Sequence, residues 1–303
     1  HDCLPPAGWQ SFLDTVSTGD GGFGFLTDRC TDLLGLADAE INDPTAAPPD
    51  RHYGVSRILL REILLDGLDD VVHLGRTFVG YDLSGDRVTA RFADGSTATA
   101  DVLIGADGAN SRVRGQLLPQ ARRVDTGVVA VAGRYPLSPE SAAALPPVLT
   151  GRTNLVLPRG RGSLFTAVWR RAAGDSADYA IWGFSDAADR FPADVDKLDG
   201  AELRHLVTDR IRGWSPAFRR LVECSDPATV NALRVKSAAP VDPWPTGRVT
   251  LLGDAIHNMT PMAGVGANTA LRDADLLRHE LRVLRMTAAV PPMRRGMARR
   301  LGN

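Results

Sequence analysis

One stretch of the sequence, residues 249–277, combines residue types that suit an anionic or electron-rich ligand. It reads VTLLGDAIHNMTPMAGVGANTALRDADLL: an apolar run, then Gly253 and Asp254, then a glycine-rich loop, then apolar residues at helical spacing. An aspartate at a strand end can accept hydrogen bonds from sugar hydroxyls. A helix N-terminus offers free N–H groups and a positive dipole. The order of these features predicts a strand that delivers a phosphate, sugar or similar group to a helix N-terminus.

The loop of this stretch differs from the usual dinucleotide-binding turn. Gly264 and Gly266 are followed by Thr269, where the fingerprint needs a third glycine, and they lie far beyond their strand. Pro261 restricts the loop before them. The alternative interpretation of Asp254 is a residue that only caps the following helix.

A second stretch, DVLIGADGANSRVR at residues 101–114, repeats the pattern. It predicts a buried strand that ends in a turn containing Asp107 and Gly108, and glycine lets the backbone approach a ligand closely. Open α/β sheets bind ligands at the carboxyl ends of their strands. The alternative is a plain Asp-Gly turn, with Ser111 or Asn110 capping a helix.

The sequence gives little support for a general base, a catalytic triad or a metal site. His257 is more typical of a hydrogen-bonded structural residue than of a general base, and its spacing defines no Ser-His-Asp arrangement. The six histidines form no cluster, and the three cysteines (Cys3, Cys30 and Cys224) are scattered. We therefore expect reduced thiols, no metal site and a cytoplasmic location.

Composition excludes some classes of partner. The chain has 303 residues, of which 44% are hydrophobic and 23% charged, as in ordinary globular proteins. Its 35 basic and 36 acidic residues give a formal net charge of −1, which disfavours a nucleic-acid binder and a polybasic membrane anchor. No apolar run approaches the roughly 20 residues that cross a bilayer.

A helix is predicted ahead of these motifs, in SRILLREILLDGL at residues 56–68. Arg57 and Arg61 are four residues apart and share one side of it. Apolar residues occupy a common face of this helix: Leu59, Leu60, Ile63, Leu64 and Leu68.

The remaining segments suggest one domain inserted between the parts of another. Alternating runs before residue 105 predict strands with a hairpin turn at Asp94-Gly95. Residues 124–184 predict further strands with no helix between them, hence an antiparallel sheet, and residues 200–223 look helical. Residues 1–52 indicate loops and short elements. Insertion fits this order better than two consecutive domains.

Together these motifs resemble those of a known family, the single-component FAD-dependent aromatic hydroxylases typified by para-hydroxybenzoate hydroxylase. The resemblance runs from about residue 51 to about residue 284 and covers an Asp-Gly motif, a Gly-Asp motif and an arginine-bearing helix. The subgroup it resembles most is the tetracycline-inactivating monooxygenases. It implies an α/β (α+β) fold in which a Rossmann-like FAD-binding domain carries an inserted antiparallel β-sheet domain for substrate.

The resemblance also implies domain boundaries. The FAD-binding domain would be discontinuous, formed by residues 1–123 and 240–303, and the substrate domain would be residues 124–239. The N-terminal glycine fingerprint of the family does not occur in this sequence, so we expect an upstream segment to be missing.

The same resemblance implies which residues bind the cofactor. Arg61 would lie against the flavin with Arg57 supporting it, and Asp107 and Gly108 would lie at the cleft used by FAD and the nicotinamide cofactor. Asp254 would bind the ribityl or pyrophosphate region. Val265 stands where the family commonly has Gln. The residues packed beneath the isoalloxazine would be Pro261, Gly264, Gly266 and Asn268, and the neighbouring Val265 and Ala267 would also bind the cofactor.

The implied activity is monooxygenation. In this family NAD(P)H reduces FAD, and the reduced flavin activates O2 to oxygenate an apolar substrate. We expect a large aromatic or polyketide-like substrate, in bacterial secondary metabolism or antibiotic modification, contacted by Phe165, Tyr179 and Met262. Two alternatives stay open: a structural flavin beside a cavity for non-redox cyclisation, and a flavin-free binding module.

Overall fold

The computed structural model describes residues 4–17, 21–43, 45–47, 50–170, 178–261 and 264–286. The helices are α1 (Pro6–Asp14), α2 (Asp38–Ile41), α3 (Arg57–Leu65), α4 (Arg112–Leu117), α5 (Pro139–Ala143), α6 (Val148–Gly151), α7 (Gly200–Arg210), α8 (Pro216–Glu223), α9 (Asp254–His257) and α10 (Gly266–Met286). The strands are β1 (Phe23–Leu26), β2 (Asp32–Leu36), β3 (Phe78–Ser84), β4 (Arg87–Phe92), β5 (Thr97–Ala100), β6 (Leu103–Gly105), β7 (Arg123–Pro136), β8 (Thr153–Val156), β9 (Ser163–Trp169), β10 (Tyr179–Ala187), β11 (Asn231–Ala238) and β12 (Val249–Leu251). Across the described residues, none of the helices has the length and apolarity needed to span a bilayer.

Contacts between residues divide the chain into two compact units. Unit 1 contains residues 1–71 and 127–234, and unit 2 contains residues 72–126 and 235–303. This division groups the first 71 residues with the segment predicted to be inserted. The discontinuous domain boundaries implied by the family resemblance stay a prediction.

Unit 1 is built on a seven-stranded sheet with the order β11-β7-β10-β9-β8-β1-β2. Alternate residues of the strands, such as Leu164 and Trp182, are fully buried on one face. Helices α7 and α8 contribute to the same core through residues such as Val207, Phe218 and Leu221. The antiparallel pairing expected for residues 124–184 is confirmed by β7, β10, β9 and β8.

One expectation for this unit was wrong. The short helices α5 and α6 lie between β7 and β8, where no helix was predicted. Residues 1–52 contain short elements, as expected, and two of them, β1 and β2, are full members of the sheet, in which β1 pairs with β8 in parallel. These strands are hard to recognise in the sequence because each contains a glycine, which is unfavourable in strands. The structure requires the glycines, since a Cβ at Gly24 or Gly35 would collide with the guanidinium of Arg152.

The helical segment at residues 200–223 is two helices. Asp199 caps α7 by accepting hydrogen bonds from the N–H groups of Ala201 and Glu202, both at 2.9 Å. Ser215 and Pro216 then start α8, because proline is favoured at the first helical position.

The predicted amphipathic helix before the strands is α3, which ends earlier than expected. Leu59, Leu60 and Ile63 are half-buried, as predicted. Leu64 and Leu68, which were predicted to share this face, are 40% and 41% exposed, so only part of the predicted apolar face is covered. The chain leaves the helix after Leu65, before Leu68 could complete the apolar stripe.

Unit 2 contains the antiparallel sheet β3-β4-β5 and the parallel pair β12-β6. The β4–β5 hairpin turns at Gly95, which has φ +82°, as the Asp-Gly signal predicted. In the parallel pair, Val249 lies opposite Leu103 and Leu251 opposite Gly105. Both strands therefore end at the same edge, and this edge carries the two motifs.

Candidate functional site

Two turns leave the carboxyl edge of the β6–β12 pair side by side. The N–H of Leu252 donates to the carbonyl of Gly105 over 3.1 Å, so the strands stay paired up to the turns. The first turn contains Asp107 and Gly108, and the second contains Gly253 and Asp254. The structure therefore brings both predicted motifs to one place. Parallel sheets bind ligands at this kind of edge.

The Asp107 carboxylate is used within the protein. Its Oδ2 accepts from the N–H groups of Arg112 (2.8 Å) and Val113 (3.2 Å), and its Oδ1 accepts from the Ser111 hydroxyl. Ser111 in turn caps α4 by accepting from the N–H of Arg114. This geometry matches the alternative interpretation of a helix-capping turn, and direct contact of Asp107 with a cofactor stays a prediction. Gly108, at φ +76°, has no atom within 4 Å of the place where a Cβ would stand.

Asp254 differs from Asp107. It is exposed in the first turn of α9, and its carboxylate has no hydrogen-bond or ion-pair partner among the described residues. The residue at the N-cap is Gly253, whose φ of +58° suits glycine. The structure thus leaves the Asp254 carboxylate available to an external donor, such as a sugar hydroxyl.

The glycine-rich loop leads into the N-terminus of α10. Gly264 has φ +64°, and its N–H donates to the carbonyl of Pro261 over 3.1 Å. Val265 is 44% exposed. In the described part of the chain, no acceptor bonds the N–H groups of the first helical residues, Gly266, Ala267 and Asn268. Free N–H groups at the positive end of a 21-residue helix can bind an anionic or electron-rich group.

Two arginines that sequence reasoning missed join the two turns. The Arg114 guanidinium donates to the carbonyls of Ala109 (2.9 Å) and Ala255 (2.7 Å). Burial lowers the pKa of Arg114, the nearby Arg123 lowers it further, and Asp107 opposes both effects. These bonds link a residue after β6 to a residue after β12.

Arg123 makes the second connection. Its Nε donates to Oδ1 of Asn258 over 2.7 Å, and its Nη1 donates to Oδ1 of Asn110 over 2.8 Å. A single arginine at the start of a strand gives no periodic or spacing signal, which is why the sequence did not identify it.

A buried carboxylate holds the Gly-Asp turn against α10. Asp273 is 6% exposed, and its Oδ2 accepts from the N–H of Gly253 over 2.8 Å. Nε2 of His257 lies 3.4 Å from the same oxygen. His257 is therefore a partner of Asp273, in agreement with its interpretation as a structural residue.

We expect Asp273→Ala to lower the free energy of unfolding by about 1–3 kcal/mol, because it leaves the Gly253 N–H buried without an acceptor. Asp273→Asn keeps an acceptor and should cost less. Asp275→Ala is the matched control on the same helix, since Asp275 is exposed and its ion pair with Arg278 lies at the surface. Calorimetric unfolding of the three variants measures this order, and equal losses for Asp273→Ala and Asp275→Ala would contradict it.

The other predicted site residues lie in unit 1 or outside the described residues. Arg57 and Arg61 are both exposed on α3. Phe165, on β9, is 41% exposed, and Tyr179, on β10, is half-buried. Met262 lies outside the described residues.

Proteins similar in sequence to this chain are named as FAD-dependent monooxygenases or hydroxylases. The chain is 33% identical over 261 residues to the dual O-methyltransferase/FAD-dependent monooxygenase elcB of Phaeosphaeria nodorum, covering 73% of this chain and 28% of the relative. It is 31% identical over 239 residues to the FAD-dependent urate hydroxylase of Mycolicibacterium vanbaalenii, covering 75% and 54%. The chain thus spans from about a quarter to about half the length of these relatives.

Solved structures share the fold. A Photorhabdus luminescens protein assigned as an FAD-containing monooxygenase aligns with a TM-score of 0.86 and 33% identity, over 99% of this chain and 80% of that one. Tetracycline destructase Tet(51) aligns with a TM-score of 0.60 and 20% identity, over 91% and 66%, which shows the fold alone.

These likenesses agree with the mixed α/β fold expected from the motifs. The sequence profile of one family, described as FAD binding domain, matches residues 54–290 and so covers most of the chain. The match contains the arginine-bearing helix, the Asp-Gly turn and the Gly-Asp loop. The chain belongs to the FAD binding domain family.

Proposed function

We propose that this chain belongs to an FAD-dependent monooxygenase that uses NAD(P)H and O2 to hydroxylate an apolar aromatic molecule. The observation that carries the proposal is the carboxyl edge of the β6–β12 pair. There the Asp254 carboxylate and the first N–H groups of α10, none of which has a partner among the described residues, belong to adjoining segments. The names of the relatives, which include an FAD-dependent urate hydroxylase, support the same class of reaction.

The residues at this edge fit a flavin. Among the described residues, a Cβ at Gly264 would meet no atom within 4 Å, and a Cβ at Gly266 would meet Cγ of Met259 alone, at 3.9 Å. The described backbone therefore offers an open surface for a flat ring. When bound, FAD supplies the transfer of electrons from NAD(P)H to O2. The N–H groups at the start of α10 would bind the electron-rich carbonyl edge of the ring, and Asp254 would accept hydrogen bonds from ribityl hydroxyls.

The substrate would lie on the face of the seven-stranded sheet opposite its buried face, which we call the open face. The strand register places one apolar residue from each of six neighbouring strands in a row across it. The row is Leu34, Phe25, Leu155, Phe165, Gly183 and Ala132. Tyr179 lies on the same face, so both described residues predicted to contact substrate point toward it.

The row favours a substrate of more than one ring, because it crosses strands spaced about 4.8 Å apart. Its side chains would orient the substrate and exclude water, and none of them needs to act as an acid or base. We extend the proposal to a large aromatic or polyketide-like molecule, in bacterial secondary metabolism or antibiotic modification.

The decisive experiment adds NADPH and, separately, NADH to the FAD-loaded full-length protein. We expect the visible flavin bands to bleach without oxygen and to return when air is admitted, with formation of peroxide or of an oxygenated product. Flavin that stays oxidised with both cofactors would overturn the proposal in favour of a structural flavin. A full-length protein that binds no flavin would favour a binding module.

Arg61→Ala should slow flavin reduction about tenfold, because a guanidinium beside the ring stabilises the negative charge that reduction adds. Arg161→Ala is the matched control, since Arg161 is exposed in a turn of the same unit. Stopped-flow absorbance under anaerobic conditions gives both rates. Equal rates for the two variants would place Arg61 away from the flavin.

A further inference from the structure

A surface pocket of unit 1 lies between α8 and Ala144, the residue that follows α5. Its volume is about 400 Å³, which lies within the range of small-molecule sites. The charged and nucleophilic residues of its lining are Arg219, Arg220, Glu223 and Cys224. All of them belong to unit 1, whereas the β6–β12 edge belongs to unit 2. An inference from this pocket therefore does not depend on the proposed function.

Packing against the core holds α8, which forms one wall of the pocket. Phe218, Leu221 and Val222 are fully buried in the core of unit 1. The helical period of 3.6 residues places the charged lining residues on the opposite side of α8. A substitution of one of these lining residues consequently leaves the core contacts of the helix in place.

The lining of this pocket has an excess of positive charge. Two arginines and one glutamate give it a net charge of +1, and among the described residues neither arginine forms an ion pair. Nε of Arg219 is buried and has no hydrogen-bond acceptor in the described part of the chain. A buried donor without an acceptor is unfavourable, and the carboxylate of a ligand would supply one. The pocket is therefore complementary to a small anion.

A nucleophile lies beside these cations. Cys224 follows the last residue of α8, and its thiol is free and exposed. The N–H of Cys224 donates to the Arg220 carbonyl over 3.0 Å, so the two residues are one helical turn apart on the same side. A hydrogen bond with the Tyr135 hydroxyl raises the pKa of the Arg220 guanidinium, and the nearby Cys224 thiol raises it further. Reactive cysteines typically occupy accessible positions next to cationic side chains.

We propose that this pocket binds an anionic disulfide, such as a peptide disulfide with free carboxylates, and positions it for S-thiolation of Cys224. The guanidinium groups of Arg219 and Arg220 would bind the carboxylates. The Cys224 thiol releases its proton to water, and its thiolate attacks one sulfur of the disulfide. A new S–S bond forms to Cys224, the old S–S bond breaks, and the other half leaves as a thiolate that takes up a proton. The disulfide is the oxidant, so the flavin has no part in this step.

The test compares oxidised glutathione, which is anionic, with bis(2-hydroxyethyl) disulfide, which is neutral. Each reagent is added to the full-length protein with reduced thiols, and peptide mass mapping gives the second-order rate constant of modification at Cys224. We expect Arg219→Gln to lower the rate constant for oxidised glutathione about tenfold and to leave that for the neutral disulfide unchanged. Arg220→Gln should act in the same way. Glu223→Gln removes the opposing charge and should raise the rate constant for oxidised glutathione alone, about threefold.

Arg159→Gln is the matched control. It makes the same change of charge at an exposed bend between β8 and β9, outside the described lining of the pocket, so both rate constants should stay at their wild-type values. Three results would overturn the assignment. They are an absence of glutathione on Cys224, an equal loss of rate for the two disulfides in Arg219→Gln, and a loss in Arg159→Gln as large as that in Arg219→Gln.

Discussion

Asp254→Ala is expected to weaken FAD binding by about 10- to 100-fold, the largest effect of any single side chain at the site. The carboxylate is exposed and uncommitted within the described residues, so its removal disturbs no internal contact. A hydrogen bond from a ligand hydroxyl to a charged group contributes about 1.5–3 kcal/mol, which corresponds to this loss of affinity. Fluorescence titration of the apoprotein with FAD measures it.

Two variants make the Asp254 result specific. Asp254→Asn keeps an acceptor without the charge and should bind FAD with intermediate affinity. Asp242→Ala removes a carboxylate from another exposed position of unit 2 and should bind FAD as wild type does. If Asp254→Ala and Asp242→Ala have equal affinities, the ribityl region does not contact Asp254.

Gly105→Ala should lower the free energy of unfolding by about 1–3 kcal/mol and the midpoint temperature by several degrees. An added Cβ would stand 2.7 Å from Cδ2 of Leu251 and 2.8 Å from Cβ of Val113. One methyl group would thus push β6 away from both β12 and α4, the elements that bring the two turns together. Weaker FAD binding should accompany the loss of stability.

Gly115→Ala is the control, because it is expected to change the stability in the opposite direction. Gly115 is exposed on α4, and no atom lies within 4 Å of the added Cβ. Alanine favours a helix over glycine by about 1 kcal/mol, so this variant should melt at a slightly higher temperature. Differential scanning calorimetry compares the two, and a Gly105→Ala protein as stable as Gly115→Ala would disprove the close packing of β6.

The sequence predicted the local elements of the site well. Apolar runs that end in Asp-Gly and Gly-Asp identified the turns at Asp107 and Asp254, because strand periodicity and turn chemistry depend on neighbouring residues. Helix α10 was recognisable from its spacing. Alternation along β9 and β10 also suggested that Phe165 and Tyr179 belong to one sheet, and the register places them on one face.

What the sequence could not show depends on distant partners. The capping role of the Asp107 carboxylate was open until its donors were seen at residues 111–113. Asp273 lies 20 positions from Gly253, and its burial carries no signature separate from the helical pattern around it. The pairing of β1 with β8 was equally hidden, since nothing in a four-residue strand encodes its neighbour.

The guanidinium of Arg114 reaches a carbonyl 141 positions further along the chain. At a synthesis rate of about 5–20 residues per second, the ribosome needs roughly 7–30 s to make the intervening polypeptide. During this interval the nascent β6 has no β12 to pair with, and its apolar side chains stay accessible to chaperones. Under the proposed function, cofactor capture at this edge would therefore be a late event in biogenesis, and stalling translation between the two motifs should leave a chain that cannot retain flavin.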